Sequence, residues 1–314
     1  MIKLYGINGA LKSAFPGLEK GLKRHGDMFK TVEYTHADDG DCYIQTNLIK
    51  PKVMRNAERN LAYGYIRDSG KPYLVNESPS FRRHLGWARL GWYSYKWTEG
   101  VFGNENSPPD RWNKFERETR ITFKDWNSPG ESILIMCQKE GDSSLLEMYE
   151  KYNSFYDWLE DLIVEIRSYS DRPIIIRPHP RNRDKGIKLA TRLQKKLNDE
   201  TITVSQNTDS LGDYLSSPNC ADGLYADLAK AWCVVTYNSL SAIEAICEGI
   251  PTFALNDGSM IWPVALKDLS TIETLQYNID LTQWKYDIAY TQWTGKEHAS
   301  GESWAHLKPL MFKT

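Results

Sequence analysis

Three short segments of this 314-residue sequence bring together side chains that suit a phosphorylated ligand. In Arg177-Pro178-His179-Pro180-Arg181, two cations flank an imidazole that is held by proline on both sides. Arginine offers paired donors to phosphate oxygens, so this cluster fits a diphosphate or a sugar phosphate. Asn238-Ser239-Leu240-Ser241 follows an apolar run and opens a helical pattern. Free backbone N–H groups and small hydroxyls at such a start favour an anion. The same residues can also read as a plain N-cap, with Glu244 completing a capping box three residues after Ser241. Gln138 and Lys139-Glu140-Gly141-Asp142-Ser143-Ser144 form a third rim after another apolar run, or simply a helix-start turn capped by Ser143.

Other chemistries lack their residues. The sequence contains no G-x-G-x-x-G, no G-x-x-x-x-G-K-[ST] and no G-x-S-x-G, which removes the main support for a dinucleotide oxidoreductase, a P-loop phosphotransferase or a nucleophile-elbow hydrolase. No closely spaced His/Asp/Glu set suggests a metal site, and Asp38-Asp39-Gly40-Asp41 lacks the later ligands of a calcium loop. Five scattered cysteines (Cys42, Cys137, Cys220, Cys233, Cys247) without a C-x-x-C pair suggest reduced, buried thiols in a cytoplasmic protein. No apolar run reaches the roughly 18 residues of a membrane span, and no secretory signal is visible at the start.

The elements that would position these clusters alternate between strand and helix, as parallel β-α-β units require. In residues 1–130, strands are expected at Ile2–Ile7, Phe29–Tyr34, Asp41–Thr46 and Pro72–Asn76, with helices at Ser13–His25 and Val53–Asp68. Residues 79–130 break this pattern and read as a long excursion that helps build a site and leads to the second domain, with Asn106–Asp110 kept from regular structure by its paired prolines. In residues 131–280, strands are expected at Ser132–Gln138, Pro173–Ile176, Thr201–Ser205, Cys233–Thr236 and Pro251–Leu255. A long helix is expected from Leu145 to Ser168, with others at Lys185–Leu197, Tyr225–Ala231 and Ser241–Glu248, the last closed by Gly249 as C-cap. Residues 281–314 read as one or two helices carrying Trp284, Trp293 and Trp304, packing back across both domains. The fold class is therefore α/β: an N-terminal Rossmann-like domain (1–130), a second one (131–280) and C-terminal helices, with the ligand site at strand ends facing an interdomain cleft.

Segments SILIMCQKEGDSS, IIIRPHPRNR and VVTYNSLSAIEAICEGIPTFAL, in this order, resemble the C-terminal half of GT-B glycosyltransferases. Within these the likeness is to the capsule-polysaccharide type and to related bacteriophage proteins. It covers about residues 130–256 and is weaker at Asn104–Trp112 and Gln292-Trp293-Thr294. The resemblance implies two Rossmann-like domains and a metal-independent transferase that needs no cofactor beyond its nucleotide-sugar co-substrate, UDP- or CMP-linked. It implies donor contacts at Gln138, Ser143, Ser144, Arg177, His179, Arg181, Asn238, Ser239 and Ser241, and at Glu244, which would reach the donor's ribose.

The charge distribution suggests where an acceptor would sit. Residues 1–130 hold 21 Lys/Arg against 15 Asp/Glu, and the remainder 18 against 26. Within residues 51–100, nine basic residues are interleaved with Tyr63, Tyr65, Tyr73, Phe81, Trp87, Trp92, Tyr93, Tyr95 and Trp97. Cations for phosphates and rings for bases make a nucleic-acid groove, and the resemblance to bacteriophage proteins implies that the acceptor in it is double-stranded DNA carrying 5-hydroxymethylated pyrimidines. Asn8, Arg82, Arg83, Trp87, Arg89 and Trp92 are the expected contacts, and a surface glycan is the alternative acceptor. Glu77, directly after a strand, is the expected base for the acceptor hydroxyl, with Asp38, Asp39, Glu99, Glu105 and Asp110 as rivals. A nucleotide-sugar epimerase is a third reading.

Overall fold

In a computed structural model, residues 1–5, 14–32, 39–46, 57–81, 87–207, 222–275 and 277–312 are described. The chain forms two compact units: Met1–Arg120 with Leu281–Thr314, and Ile121–Asp280. Among the described residues no helix is long and apolar enough to cross a membrane.

In the first unit, β1 (Ile2–Tyr5), β2 (Phe29–Val32), β3 (Cys42–Thr46), β4 (Tyr73–Glu77), β5 (Trp87–Trp92) and β11 (Gln292–Thr294) form one sheet in the order β11-β5-β4-β3-β1-β2. Strands β2, β1, β3 and β4 are parallel; β5 runs antiparallel to β4, and β11 antiparallel to β5. Helices α1 (Ala14–Arg24) and α2 (Ala57–Asp68) are the crossovers that parallel pairing demands. One face of the sheet buries Ile2, Leu4, Ile44, Leu74, Leu90 and Trp92 with Leu18, Leu22, Trp293 and Trp304.

Two expectations for this unit are corrected. Residues 79–130, expected to break the strand and helix pattern, contain β5 and α3 (Asp110–Thr119). The paired prolines 108 and 109 lie just before α3, where a missing N–H costs nothing. The tail is not wholly helical: between α9 (Thr282–Ala289) and α10 (Gly295–Ser300), Trp293 sits in β11, and α11 (Glu302–Leu307) follows. Thr294 and Glu297 cap α10 reciprocally.

In the second unit, β6 (Ser132–Met136), β7 (Ile174–Arg177), β8 (Ile202–Val204), β9 (Ala231–Thr236) and β10 (Thr252–Ala254) form an all-parallel sheet in the order β10-β9-β6-β7-β8. Its strands are the near-continuous apolar runs of a sheet covered on both faces. The expected single helix from 145 to 168 is instead α4 (Met148–Lys151) and α5 (Phe155–Arg167). Ser154 is extended and accepts a hydrogen bond from the Asp157 amide, so it starts a new helix. Helices α6 (Arg183–Leu197), α7 (Asp222–Leu228) and α8 (Ala242–Cys247) are the other α-helices among the described residues of this unit. Gly249 ends α8 in the left-handed conformation, with φ +74°. A Cβ there would lie 2.1 Å from the Asp125 carbonyl oxygen, so only glycine fits.

Candidate donor site

The order β10-β9-β6-β7-β8 reverses direction at β6. From β6 the chain winds outward through β7 to β8, then returns to place β9 on the other side of β6. Ligands of open α/β sheets gather beyond the carboxyl ends of the strands at this reversal. Gln138, two residues past β6, and Asn238, two residues past β9, meet there. The Gln138 amide donates to Asn238 Oδ1 and, at 3.1 Å, to Ser144 Oγ, while its Oε1 accepts from the Asn238 backbone N–H at 3.2 Å. Asn238 Nδ2 donates to the Ser144 carbonyl at 3.0 Å and to Asn256 Oδ1 at 2.8 Å.

Asn256, which follows β10, extends this network. Its Nδ2 donates to Glu147 Oε2 at 3.0 Å, and its Oδ1 also accepts from the Gly258 amide at 3.2 Å. Amides carry both donors and acceptors, so a chain of them can satisfy itself inside a low-dielectric site and fix the loops in one arrangement. The sequence reading found Gln138, Ser144 and Asn238 but missed Asn256, Glu147 and Ser259. Ser259 is buried, and its hydroxyl finds no partner among the described residues. Their signal was the position of Asn256 just beyond a strand of the same sheet.

The remaining expected residues divide. Asp142, not Ser143, caps the turn after β6 by accepting from the Ser144 amide at 3.0 Å, and Ser143 is buried. Ser241 has a helical backbone and makes no side-chain cap, so the capping box with Glu244 does not form. Ser239 stands in for it: its hydroxyl accepts from the Ser241 amide at 3.4 Å, and its own amide donates to Thr236 Oγ1 at 3.2 Å. His179 and Ser239 both lie on loops leaving this carboxyl edge. The ring Nδ1 of His179 accepts from the Arg181 amide at 3.2 Å, which fixes the imidazole over the turn Pro180–Asn182. Arg181 is exposed on that turn.

Arg177 is committed elsewhere. Its Nη1 contacts the buried Asp227 carboxylate at 2.5 Å and the carbonyls of Asn207 and Gly223 at 3.2 Å. It ties β7 to the neighbouring loop and to α7 and does not offer that edge of its guanidinium to a ligand. Asp227 also takes the Ser205 hydroxyl at 2.6 Å and the Asn207 amide at 2.8 Å. On the other side of the turn, Lys185 pairs with the buried Glu140, while the Tyr149 hydroxyl, its pKa raised by burial, accepts from the Gly141 amide at 2.8 Å.

In the first unit three of the six expected nucleic-acid contacts, Trp87, Arg89 and Trp92, are buried. Trp92 is fully buried, donates to the Leu307 carbonyl at 2.8 Å and packs against Trp304. Trp87 is buried against Phe115, and Arg89 is buried over the Tyr95 ring. Burial of large apolar rings outweighs display, so Trp87 and Trp92 belong to the core and are not surfaces on which bases stack. Asn8, Arg82, Arg83 and the rival acid Asp38 lie outside the described residues. Glu77 ends β4 half-buried, opposite Arg89 in the register, and its Oε1 accepts from the Ser78 amide at 2.7 Å. Three of its rivals are engaged: Asp39 with Lys71, Glu99 with Lys96 and Ser94, and Asp110 with the Tyr290 hydroxyl.

Among solved structures, the chain is similar to Thermosulfurimonas dismutans KpsC, beta Kdo 2,4 transferase, with a TM-score of 0.52 and 12% identity over 92% of this chain and 89% of that one. The fold is that of GT-B glycosyltransferases. Thermosulfurimonas dismutans KpsC, beta Kdo 2,7 transferase, gives a TM-score of 0.49 at 12% identity, covering 98% of this chain and 99% of that one. No family model and no curated protein matches the sequence.

Proposed function

We propose that this GT-B-fold protein is a glycosyltransferase whose nucleotide-sugar donor, UDP- or CMP-linked, binds at the carboxyl edge of the second unit's sheet. The observation that carries this reading is the amide network joining Gln138 to Asn238 at the strand-order reversal. It is flanked by the His179–Arg181 turn, whose exposed cation meets the phosphate charge that develops on the leaving nucleotide. In the reaction the donor's anomeric C–O bond breaks and its electron pair goes to the nucleotide phosphate. The acceptor oxygen bonds to that carbon, and its proton passes to Glu77 in an inverting reaction. Charge on the leaving group is met by protein groups, so turnover is expected to survive chelation of divalent metals. The protein acts in the cytoplasm, where nucleotide sugars are the co-substrate.

The acceptor favoured by the burial of Trp87, Arg89 and Trp92 is a glycan hydroxyl, because the rings that would have stacked on bases are core. Duplex DNA with 5-hydroxymethylated pyrimidines is the second acceptor to be tried. The test is incubation with UDP- and CMP-linked sugars, Kdo among them, and with either bacterial surface oligosaccharides or hydroxymethylated DNA, read by mass spectrometry. A sugar-sized mass gain on the oligosaccharide alone supports the reading, and a gain on the DNA alone restores the nucleic-acid acceptor. Hydrolysis or epimerisation of a donor, with no gain on either acceptor, refutes transfer.

A further inference from the structure

Helices α5 and α6 connect the parallel neighbours β6, β7 and β8, so right-handed crossovers lay them side by side and parallel on one face of the second unit's sheet. Glu160 lies between them, where its carboxylate takes Arg192 and, at 2.8 Å, Lys196. That pairing sets their level: residue 160 of α5 stands beside residues 192–196 of α6. Their outward sides differ in charge. On α5, Asp157 and Asp161 stand one turn apart and are followed by Val164, which is 42% exposed. On α6, Lys188 and Lys195 stand two turns apart on one side. All four charged residues are exposed, and none has an ion pair among the described residues, although acids and cations lie on adjacent helices. A lipid surface or a nucleic acid carries charge of one sign, so laid on the α6 cations it would also meet the α5 acids. The matching surface needs an acid row and a cation row side by side at helix spacing, which is what this face itself presents.

We propose that the outward face of α5 and α6 docks a second copy of this chain in a two-fold-symmetric pair. A two-fold axis running along the helices lays α5 of each copy on α6 of the other without a change of level. Asp161 then faces the partner's Lys195, and Asp157 falls between the partner's Lys188 and the partner's Lys195, since three residues of helix rise about 4.5 Å. Symmetry repeats these contacts, and Val164, level with the end of the partner's α6, leaves water. An axis across the helices would instead set α5 on α5, acid against acid. Two helices about 20 Å long and about 10 Å wide offer on the order of 400 Å² per copy. That is about half of the roughly 800 Å² per partner of a stable interface, so the pair forms reversibly. Salt should weaken it, because exposed charges are screened. The pairing does not depend on the transferase reading.

The test is the oligomeric state of the intact protein, followed by sedimentation velocity at concentrations up to about 200 μM, in low salt and in about 0.5 M salt. The mass should rise from monomer toward dimer in low salt and return to monomer in high salt. Lys188→Glu with Lys195→Glu leaves acids on both helices, and Asp157→Lys with Asp161→Lys leaves cations on both. Each double variant alone should be monomeric, its Kd raised about tenfold or more. An equimolar mixture of the two should pair at least as well as wild type. A folding defect is not repaired by mixing, and the single changes Lys195→Glu and Asp161→Lys serve if a double variant does not fold. The proposal is overturned if wild type stays monomeric at the highest concentration in low salt. It is also overturned if the folded variants dimerise as wild type does, or if their mixture stays monomeric. Phosphatidylglycerol vesicles and duplex DNA are titrated in parallel. Binding to either that Lys188→Glu with Lys195→Glu abolishes, while wild type stays monomeric, assigns the α6 cations to a one-signed partner instead.

Discussion

Asn238→Ala removes the side chain that joins three loops of the second unit. Three hydrogen bonds disappear: the one accepted from Gln138, and those donated to the Ser144 carbonyl and to Asn256. At about 1 kcal/mol each, the direct loss is about 3 kcal/mol. The partners are not all stranded, because Gln138 keeps Ser144 Oγ and Asn256 keeps the Gly258 amide, which argues against a much larger figure. For a unit of this size the melting temperature should fall by roughly 6–12 °C. Scanning calorimetry should show this fall in one transition, and UDP or CMP should no longer raise that transition. Asn238→Asp sharpens the test: it keeps the shape but turns an acceptor oxygen toward the Ser144 carbonyl and Asn256 Oδ1, so it should destabilise at least as much as alanine. Melting curves for both variants that overlay wild type would refute the network as the framework of the proposed donor site.

Arg177 and Arg181 stand four residues apart and should behave oppositely. Arg177→Ala strands the buried Asp227 carboxylate and should cost about 3–5 kcal/mol of stability. Arg181→Ala should leave the melting temperature within about 1 °C, consistent with an exposed residue, while weakening nucleotide binding severalfold by calorimetry. In the first unit, burial works to raise the pKa of Glu297, but the Arg111 charge, the Lys114 contact and the Thr294 amide outweigh it and hold the carboxyl at about 2. Burial pushes the His298 ring down to about 4. Both values lie below their unfolded ones. Stability from His298 should therefore be lost as pH falls from about 6.5 to 4, and that from Glu297 as pH falls from about 4.5 to 2. Urea melts across this range should show both losses, and Glu297→Gln should flatten the lower one.

The second unit's strands were legible because a parallel sheet covered on both faces leaves unbroken apolar runs such as SILIM and AWCVV, and because Gly249 marks a helix end. The loops of the candidate site were legible as polar clusters following those runs. Strand β5 was hidden by its composition: Trp87-Ala88-Arg89-Leu90-Gly91-Trp92 carries a buried cation and a glycine and has neither strand alternation nor an unbroken apolar run. Gly91 is there because a Cβ would lie 2.5 Å from the Phe102 ring, a tertiary constraint with no local signature. The commitment of Arg177 was hidden for the same reason: its partner Asp227 is 50 residues away. Likewise the rings of residues 81–95 looked like a surface because only the folded sheet shows that Phe81, Trp112, Phe115 and Trp284 form one aromatic cluster.

Strand β11 lies next to β5, although some 200 residues separate them along the chain. During synthesis the first sheet therefore waits with an open flank while the whole of the second unit emerges and can fold in between. A chain cut after Asp280 would keep that flank bare, a backbone row able to recruit strands from other copies. The last segment thus acts as a late-arriving seal, and its loss should appear as insolubility of the product.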